Sequence, residues 1–369
     1  MAAPNQRRGR SRAPSPKTNF MQRFAALTGW GHCVPDKVLT NQDLEKLLAT
    51  SDDWIKTRTG ISRRHIAADT DTTSSLCAVA AERALDRARL PARELDLVIC
   101  ATTTPDQLLP ATACLVHKKI GAIHAGAFDI NSACTGFVQG LIIGVQFIQT
   151  GTCRRVLVVA GEILSRFLNW QDRTTCILHG DGAAAVVLEA TSQKCGILSV
   201  DMGCRGDSEN LLTILAGGSS KPASAETLAA GDHYVNMRGN EVFKMAVRSM
   251  SQAATLALSR ARVSMDEIYK FIPHQANLRI VQATRLALGL PEDKLFLNLD
   301  RRGNTGCASI PLALSEYLDT ENPPPGSKLL LVAFGGGLTW ASAVLAWADV
   351  AAVIQQREQS ATLITPLAA

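Results

Sequence analysis

Residues 95–104, LDLVICATTT, and residues 268–277, IYKFIPHQAN, open two series of segments that run in the same order. The first series continues through a helix pattern to 126–136 (GAFDINSACTG), a long apolar helix pattern, 154–162 (RRVLVVAGE) and 180–190 (GDGAAAVVLEA). The second continues through a helix pattern to 294–309 (KLFLNLDRRGNTGCAS), another helix pattern, 328–337 (KLLLVAFGGG) and 339–348 (TWASAVLAWA). An echo of this length predicts two look-alike halves packed as a pseudo-dimer. The site then falls at their junction, where strand ends and helix starts converge. The divide lies near residues 190–196. The expected organisation is a disordered basic tail over 1–22, halves over 23–193 and 194–348, and a mildly amphipathic extension over 349–369.

Working outward, strand-like runs are expected at 24–31, 95–104, 125–130, 154–161, 183–188, 197–202, 294–299, 329–334 and 341–347. Helix-period stretches at 76–89, 136–150, 242–262 and 276–288 separate many of them. Strands spaced by helices predict an α/β fold with mixed, mainly parallel sheets covered by helices. The 369 residues allow about two structural units at ~100–200 residues each. Apolar residues at 46% against 19% charged exclude a disordered chain. No apolar run reaches the ~18 residues of a membrane span.

The formal charge of +5 misleads, because Arg7, Arg8, Arg10, Arg12, Lys17 and Arg23 all lie in the first 23 residues, which hold no acids. Without them the body is near −1, so a nucleic-acid-binding face is not expected. The head reads as a solvated tail, an organelle transit peptide, or sequence upstream of a start at Met21. Ten scattered cysteines without a C-x-x-C pair argue against zinc or thioredoxin chemistry and for a reducing, cytoplasmic setting.

Cys134 stands out among the ten. It follows the strand-like AGAFDI and precedes the helix-like TGFVQGLIIGVQFI. A helix N-terminus favours a thiolate, and a strand-to-helix turn exposes a nucleophile. His274 follows a short apolar strand and can donate a hydrogen bond or exchange a proton. Asn304 lies in GNTG, which alone is turn chemistry, but in the repeat register it faces the Cys134 turn. The three therefore converge from distant stretches. The glycines of FGGGLTW (334–340) allow a backbone N–H to approach a ligand as an oxyanion donor. A dinucleotide reading of GWGHCV (29–34) fails, since Val34 stands at the third glycine position.

At these residues the chain resembles the condensing enzymes of the thiolase superfamily, and especially β-ketoacyl-acyl-carrier-protein synthase III. The motifs that carry the resemblance are TSDDWIKTRTGISRRHIA, NSACTGF, GDGAAAV, MRGNEVFKMAV, PHQANLRI, DRRGNTGCAS and FGGGLTW. The resemblance implies a thiolase-like five-layer αβαβα fold and an acyltransferase of fatty acid biosynthesis. It implies a catalytic triad of Cys134, His274 and Asn304, with the N–H groups of Cys134 and Gly336 as oxyanion hole. A ping-pong reaction follows, in which an acyl-CoA primer loads Cys134 and malonyl-carrier protein then condenses with it by decarboxylation. Coenzyme A contacts carry over to Thr50, Trp54, Arg58, Arg173, Gly239, Asn240 and Asn277, with Trp54 and Arg173 sandwiching the adenine. Lys244, Gln275 and Arg279 match the patch that docks acyl carrier protein. Leu109 stands where many relatives carry a bulky aromatic at the acyl pocket, which implies a primer longer or more branched than acetyl. The implied protein is a homodimer without metal, redox cofactor, nucleic-acid or membrane partner. A starter-unit, quinolone- or polyketide-type enzyme of secondary metabolism is the alternative.

Overall fold

A computed structural model describes residues 23–206 and 209–362; the expected basic tail and the choice between Met1 and Met21 lie outside the described residues. The first sheet contains β1 (Phe24–Cys33), β2 (Leu97–Ala101), β3 (Gly126–Ile130), β4 (Arg155–Glu162) and β5 (Gly182–Thr191), in the order β1-β5-β4-β2-β3. The second contains β6 (Gly196–Cys204), β7 (Ile268–Pro273), β8 (Lys328–Gly335) and β9 (Thr339–Ala346), in the order β7-β8-β9-β6. The principal helices are α1 (Asp52–Thr59), α2 (Thr73–Arg87), α3 (Thr112–Ile120), α4 (Gly136–Gln149), α5 (Gly239–Ala261), α6 (Leu278–Ala287), α7 (Ser309–Thr320) and α8 (Val350–Thr362).

The echo in the sequence is an echo in topology. β2 pairs parallel to β4, β4 antiparallel to β5, and β5 antiparallel to β1. Likewise β7 pairs parallel to β8, β8 antiparallel to β9, and β9 antiparallel to β6. The sheets are mixed, but the expectation of mainly parallel pairing is corrected: three strand pairs are parallel and four antiparallel. The physical reason is the connections. β8 and β9 are joined only by Gly336–Leu338, too little for the helical crossover a parallel pair needs, and residues 163–181 between β4 and β5 hold a short 3-10 turn, Leu164–Phe167, but no α-helix to make one.

The predicted strand over 294–299 is also corrected. Its place beside β7 holds one isolated bridge, Phe271↔Leu295, with the Phe296 N–H donating to the Phe271 carbonyl. Residues Leu299–Arg302 instead wind into a short helix. Buried Glu316 on α7 holds that turn, accepting from Arg301 Nη2 at 2.6 Å, Arg302 Nε at 2.7 Å and Asn298 Nδ2 at 3.1 Å. A charge this buried is kept only with such partners.

The layers follow from the apolar faces. α4 carries no charged residue (GFVQGLIIGVQFIQ) and packs with α7 between the two sheets. Phe137, Leu141, Ile310 and Tyr317 meet inward-facing Val158, Val186, Leu331 and Ala343 there. α2 and α3 cover the outer face of the first sheet, and α5 and α6 that of the second. The result is a five-layer αβαβα stack. The C-terminal α8 joins it through buried Val353 and Ile354, and Arg357 Nη1 donates to both carboxylate oxygens of Glu189 at 2.8 and 2.9 Å.

Candidate active site

The Cys134 turn is built under strain. β3 ends at Ile130, a 3-10 turn spans Ala133–Thr135, and α4 starts at Gly136. Ala133 sits at φ +45°, a left-handed conformation that costs a residue with a Cβ about 1–3 kcal/mol. The other half of the molecule holds it there. A Cβ on Gly335 would stand 2.7 Å from the Cys134 nitrogen, so only glycine lets the β8 end approach this closely. The Thr135 hydroxyl bonds Ser132 and lies 3.1 Å from Thr339 Oγ1 on β9.

Cys134 is half-buried, and its thiol is pushed up to about 12 by burial and then by the Glu162 carboxylate; only its own backbone N–H opposes them. Burial and the Glu162 carboxylate thus oppose the thiolate that the helix start was expected to favour. Glu162 lies beneath the turn, held by the hydroxyls of Thr103 at 2.8 Å and Thr104 at 2.6 Å.

His274 continues the β7 ladder, donating its N–H to the Val332 carbonyl at 2.8 Å, and is 2% exposed. Burial, then the neighbouring His179, lower it to about 3, so the ring is neutral. Its Nδ1 lies 2.5 Å from Ser309 Oγ, which leaves Nε2 as the uncommitted nitrogen. Asn304 is fixed by its backbone, donating to Leu178 O at 2.8 Å and accepting from Gly180 N at 3.1 Å. Its Oδ1 accepts the Gly306 N–H at 3.0 Å, so the amide NH2 is the end left free to donate.

Cys134, His274 and Asn304 line one cavity of about 530 Å³, which the Trp54, Arg58 and Arg173 side chains also line. Its walls include Met237, Phe243, Met250 and Phe334. Gly239, Asn240, Asn277 and Arg279 line it as well. Trp54 is presented by α1, whose TSDD start is a cap: Ser51 Oγ accepts the Trp54 N–H at 3.1 Å, and Gly60 closes the helix at φ +78°. Asn277 caps α6 through the Arg279 N–H at 2.9 Å and donates to the Arg58 carbonyl at 3.1 Å. This chemistry suits a long ligand with an anionic end, and the cavity brings together a thiol, a neutral imidazole and a side-chain amide.

Two matching family models are described as 3-oxoacyl-[acyl-carrier-protein (ACP)] synthase III, over residues 128–206, and its C terminal, over residues 258–347. A β-ketoacyl-[acyl-carrier-protein] synthase III of Roseiflexus castenholzii is 51% identical over 327 residues, 89% of this chain and 99% of its own. The chain belongs to the β-ketoacyl-acyl-carrier-protein synthase III family. The family's solved 3-oxoacyl-[acyl-carrier-protein] synthase III from Aquifex aeolicus has a TM-score of 0.81 at 42% identity, covering 88% of this chain and 100% of the other. The priming β-ketosynthase of the R1128 polyketide pathway has a TM-score of 0.83 but only 31% identity, over 89% and 97% of the two chains. The higher identities favour the synthase III reading over the secondary-metabolism alternative.

Several carried-over residues differ in placement from the family reading. Gln275 is not on the docking surface: it is fully buried, donating Nε2 to Pro273 O at 2.8 Å and accepting the Asn298 N–H at 3.3 Å. Its polar ends replace ladder bonds that the missing edge strand would make. Leu109 lies outside the cavity of its own chain at 85% exposure, so its size does not set that cavity's depth. Thr50 does not line the cavity either; its buried hydroxyl has no hydrogen-bond partner among the described residues. Trp54 and Arg173 are in direct contact, the guanidinium 4.9 Å from the ring, with Arg58 over the same ring at 4.5 Å. An adenine enters between Trp54 and Arg173 only if Arg173 swings away. Lys244 and Arg279 are exposed as expected, with Arg248 one turn beyond Lys244 on α5.

Cys307 is core: 1% exposed, its Sγ 3.0 Å from Ala101 O. The sequence reading passed over His179 and Ser309. His179 lines the cavity; its place just before GDG and the strand-like run at 183–188 was a usable signal. Among the described residues no group of three or more His, Cys, Asp or Glu is set to hold a metal, and no helix is long and apolar enough to cross a membrane.

Proposed function

We propose that this chain starts fatty acid synthesis by condensing an acyl-CoA primer with malonyl-acyl-carrier protein, with Cys134, His274 and Asn304 as its catalytic residues. The observation that carries the reading is the single cavity lined by those three side chains and by the Arg58–Trp54–Arg173 cluster. The Cys134 sulfur attacks the primer's thioester carbonyl, its proton passes to the departing coenzyme A sulfur, and acyl-Cys134 remains. The malonyl thioester then binds with its carbonyl against His274 Nε2 and Asn304 Nδ2. Its C–CO2 bond breaks, CO2 leaves, and the electron pair becomes an enolate held by those two donors. The enolate carbon attacks the acyl-Cys134 carbonyl, the resulting oxyanion rests on the N–H groups of Cys134 and Gly336, and the C–S bond breaks. The Cys134 thiolate takes a proton from water, and the β-ketoacyl product departs on its carrier.

Two neutral donors suit this task, because they stabilise developing charge without protonating the carbanion. Both oxyanions are met by N–H groups, so the chemistry calls for no metal or redox cofactor. The halves, 23–193 and 194–348, divide the work into nucleophile and donors. Coenzyme A lies along Trp54, Arg58, Arg173, Gly239, Asn240 and Asn277, and the carrier protein docks at Lys244 and Arg279. The enzyme is a cytoplasmic homodimer: all ten cysteines are free, and the half-buried edge strand Gly126–Ile130 is open to a second copy. Intact-protein mass spectrometry after incubation with a panel of acyl-CoAs tests the reading. One acyl increment is expected on the wild type and none on Cys134→Ser; a chain that takes up no acyl group from any of the panel contradicts it.

A further inference from the structure

We infer that Ser309, the first residue of α7, is a positioning residue that decides which nitrogen of His274 carries the proton. The inference deepens the proposed function, resting on His274 as a donor to the malonyl thioester. Ser309 is 2% exposed, and its hydroxyl makes two contacts: 2.5 Å to His274 Nδ1 and 3.1 Å from the Gln275 N–H. The second contact has a fixed direction, since a backbone N–H only donates. Gln275 cannot turn away from it. Its side chain is tied at both ends, to Pro273 O at 2.8 Å and Phe296 O at 3.3 Å through Nε2, and to the Asn298 N–H through Oε1.

The direction of the first contact then follows from counting protons. A serine hydroxyl has one proton to give and two lone pairs to receive. If His274 carried its proton on Nδ1, Oγ would receive two N–H donors. Its own proton would then be buried with no acceptor among the described residues. If the hydroxyl donates to Nδ1, every group is paired and the ring proton sits on Nε2. His274 lines the cavity shared with Cys134 and Asn304, and Nε2 is its nitrogen that Ser309 does not hold. The neutral state of the ring, enforced by burial, makes the choice of tautomer matter, because only one nitrogen has a hydrogen to offer.

Two readouts test this. In the intact wild-type enzyme, nitrogen-15 NMR of labelled histidine is expected to show His274 protonated on Nε2 and not on Nδ1; the opposite tautomer overturns the inference without any variant. In Ser309→Ala, the two half-reactions are expected to separate. Decarboxylation of malonyl-carrier protein falls about 10- to 100-fold, the size of loss that follows when the hydrogen-bond partner of a metal-ligating imidazole is removed. Acyl transfer from acyl-CoA to Cys134 falls less than about threefold, since that step uses no His274 proton. Ser309→Thr, which keeps the hydroxyl, restores decarboxylation. Equal losses in both half-reactions, or wild-type decarboxylation by Ser309→Ala, overturn the role of Ser309. Failure of the wild type itself to accept an acyl group instead overturns the proposed function.

Discussion

The first and second halves share a strand order, yet the turn ahead of the buried central helix ends in a thiol in one and an amide in the other. In the first half the turn follows a paired edge strand, β3, and is strained at Ala133. In the second the matching segment makes two isolated bridges, Phe271↔Leu295 and His179↔Asn304, and its polar groups are taken up by Gln275, Glu316 and Gly306. The difference teaches how a duplicated frame divides labour. In the proposed function the strained, half-buried turn presents the attacking atom, and the relaxed, hydrogen-bonded one presents the fixed donors.

The sharpest way to break this division is to delete each side in turn. Cys134→Ala is expected to remove acyl loading, by about 10⁴-fold or more. Asn304→Ala is expected to leave loading intact and cut malonyl decarboxylation by about 10²–10³-fold. Separate assays of the two half-reactions check this; parallel losses in both variants would deny the division. Gly335→Ala tests the junction itself. Its Cβ would press on the Cys134 nitrogen at 2.7 Å, a backbone clash that no side chain can relieve, so turnover is expected to fall about 10²-fold and the thermal unfolding temperature to fall with it; wild-type values for both contradict the account.

A third test concerns the buried imidazoles. His179 is lowered to about 4 and His274 to about 3, both by burial first, against an ordinary value of 6.5. Both stay neutral in the fold and protonate in the unfolded chain, so the unfolded state binds more protons below pH 6.5. Stability therefore falls as pH falls, through pH 4 for His179 and pH 3 for His274. Each contributes a slope of up to about 1.4 kcal/mol per pH unit. His179→Phe is expected to flatten the slope of urea-unfolding stability between pH 6.5 and 4; an unchanged slope contradicts the account. The smallest effect is expected at the rim, where Lys244→Glu raises KM for malonyl-carrier protein by several-fold, about 1 kcal/mol or less, and more at low salt.

The alternation of apolar runs and helix patterns made both sheets legible, and the echo placed Cys134, His274 and Asn304 together before any coordinates. What stayed illegible depended on which way a side chain turns. Gln275 lies in a motif beside His274, but nothing in PHQAN says that its amide goes inward to replace a lost strand. Residues 294–299 have the composition of a strand, yet distant Glu316 winds Leu299–Arg302 into a helix. The helix start at Gly136 suggests a thiolate, but the opposing burial and Glu162 come from the packed fold. Ser309 looks like any helix-opening serine until His274 is seen 2.5 Å away.

The most direct test of the central claim is a two-step labelling experiment with peptide mapping. The enzyme is loaded with acyl-CoA, mapped, and then chased with malonyl-carrier protein. The account predicts the acyl mass on the peptide containing Cys134 and on no other cysteine, followed by its loss in the chase from the wild type but not from Asn304→Ala. An acyl group on Cys307 or another cysteine, or equal discharge from Asn304→Ala, would contradict it.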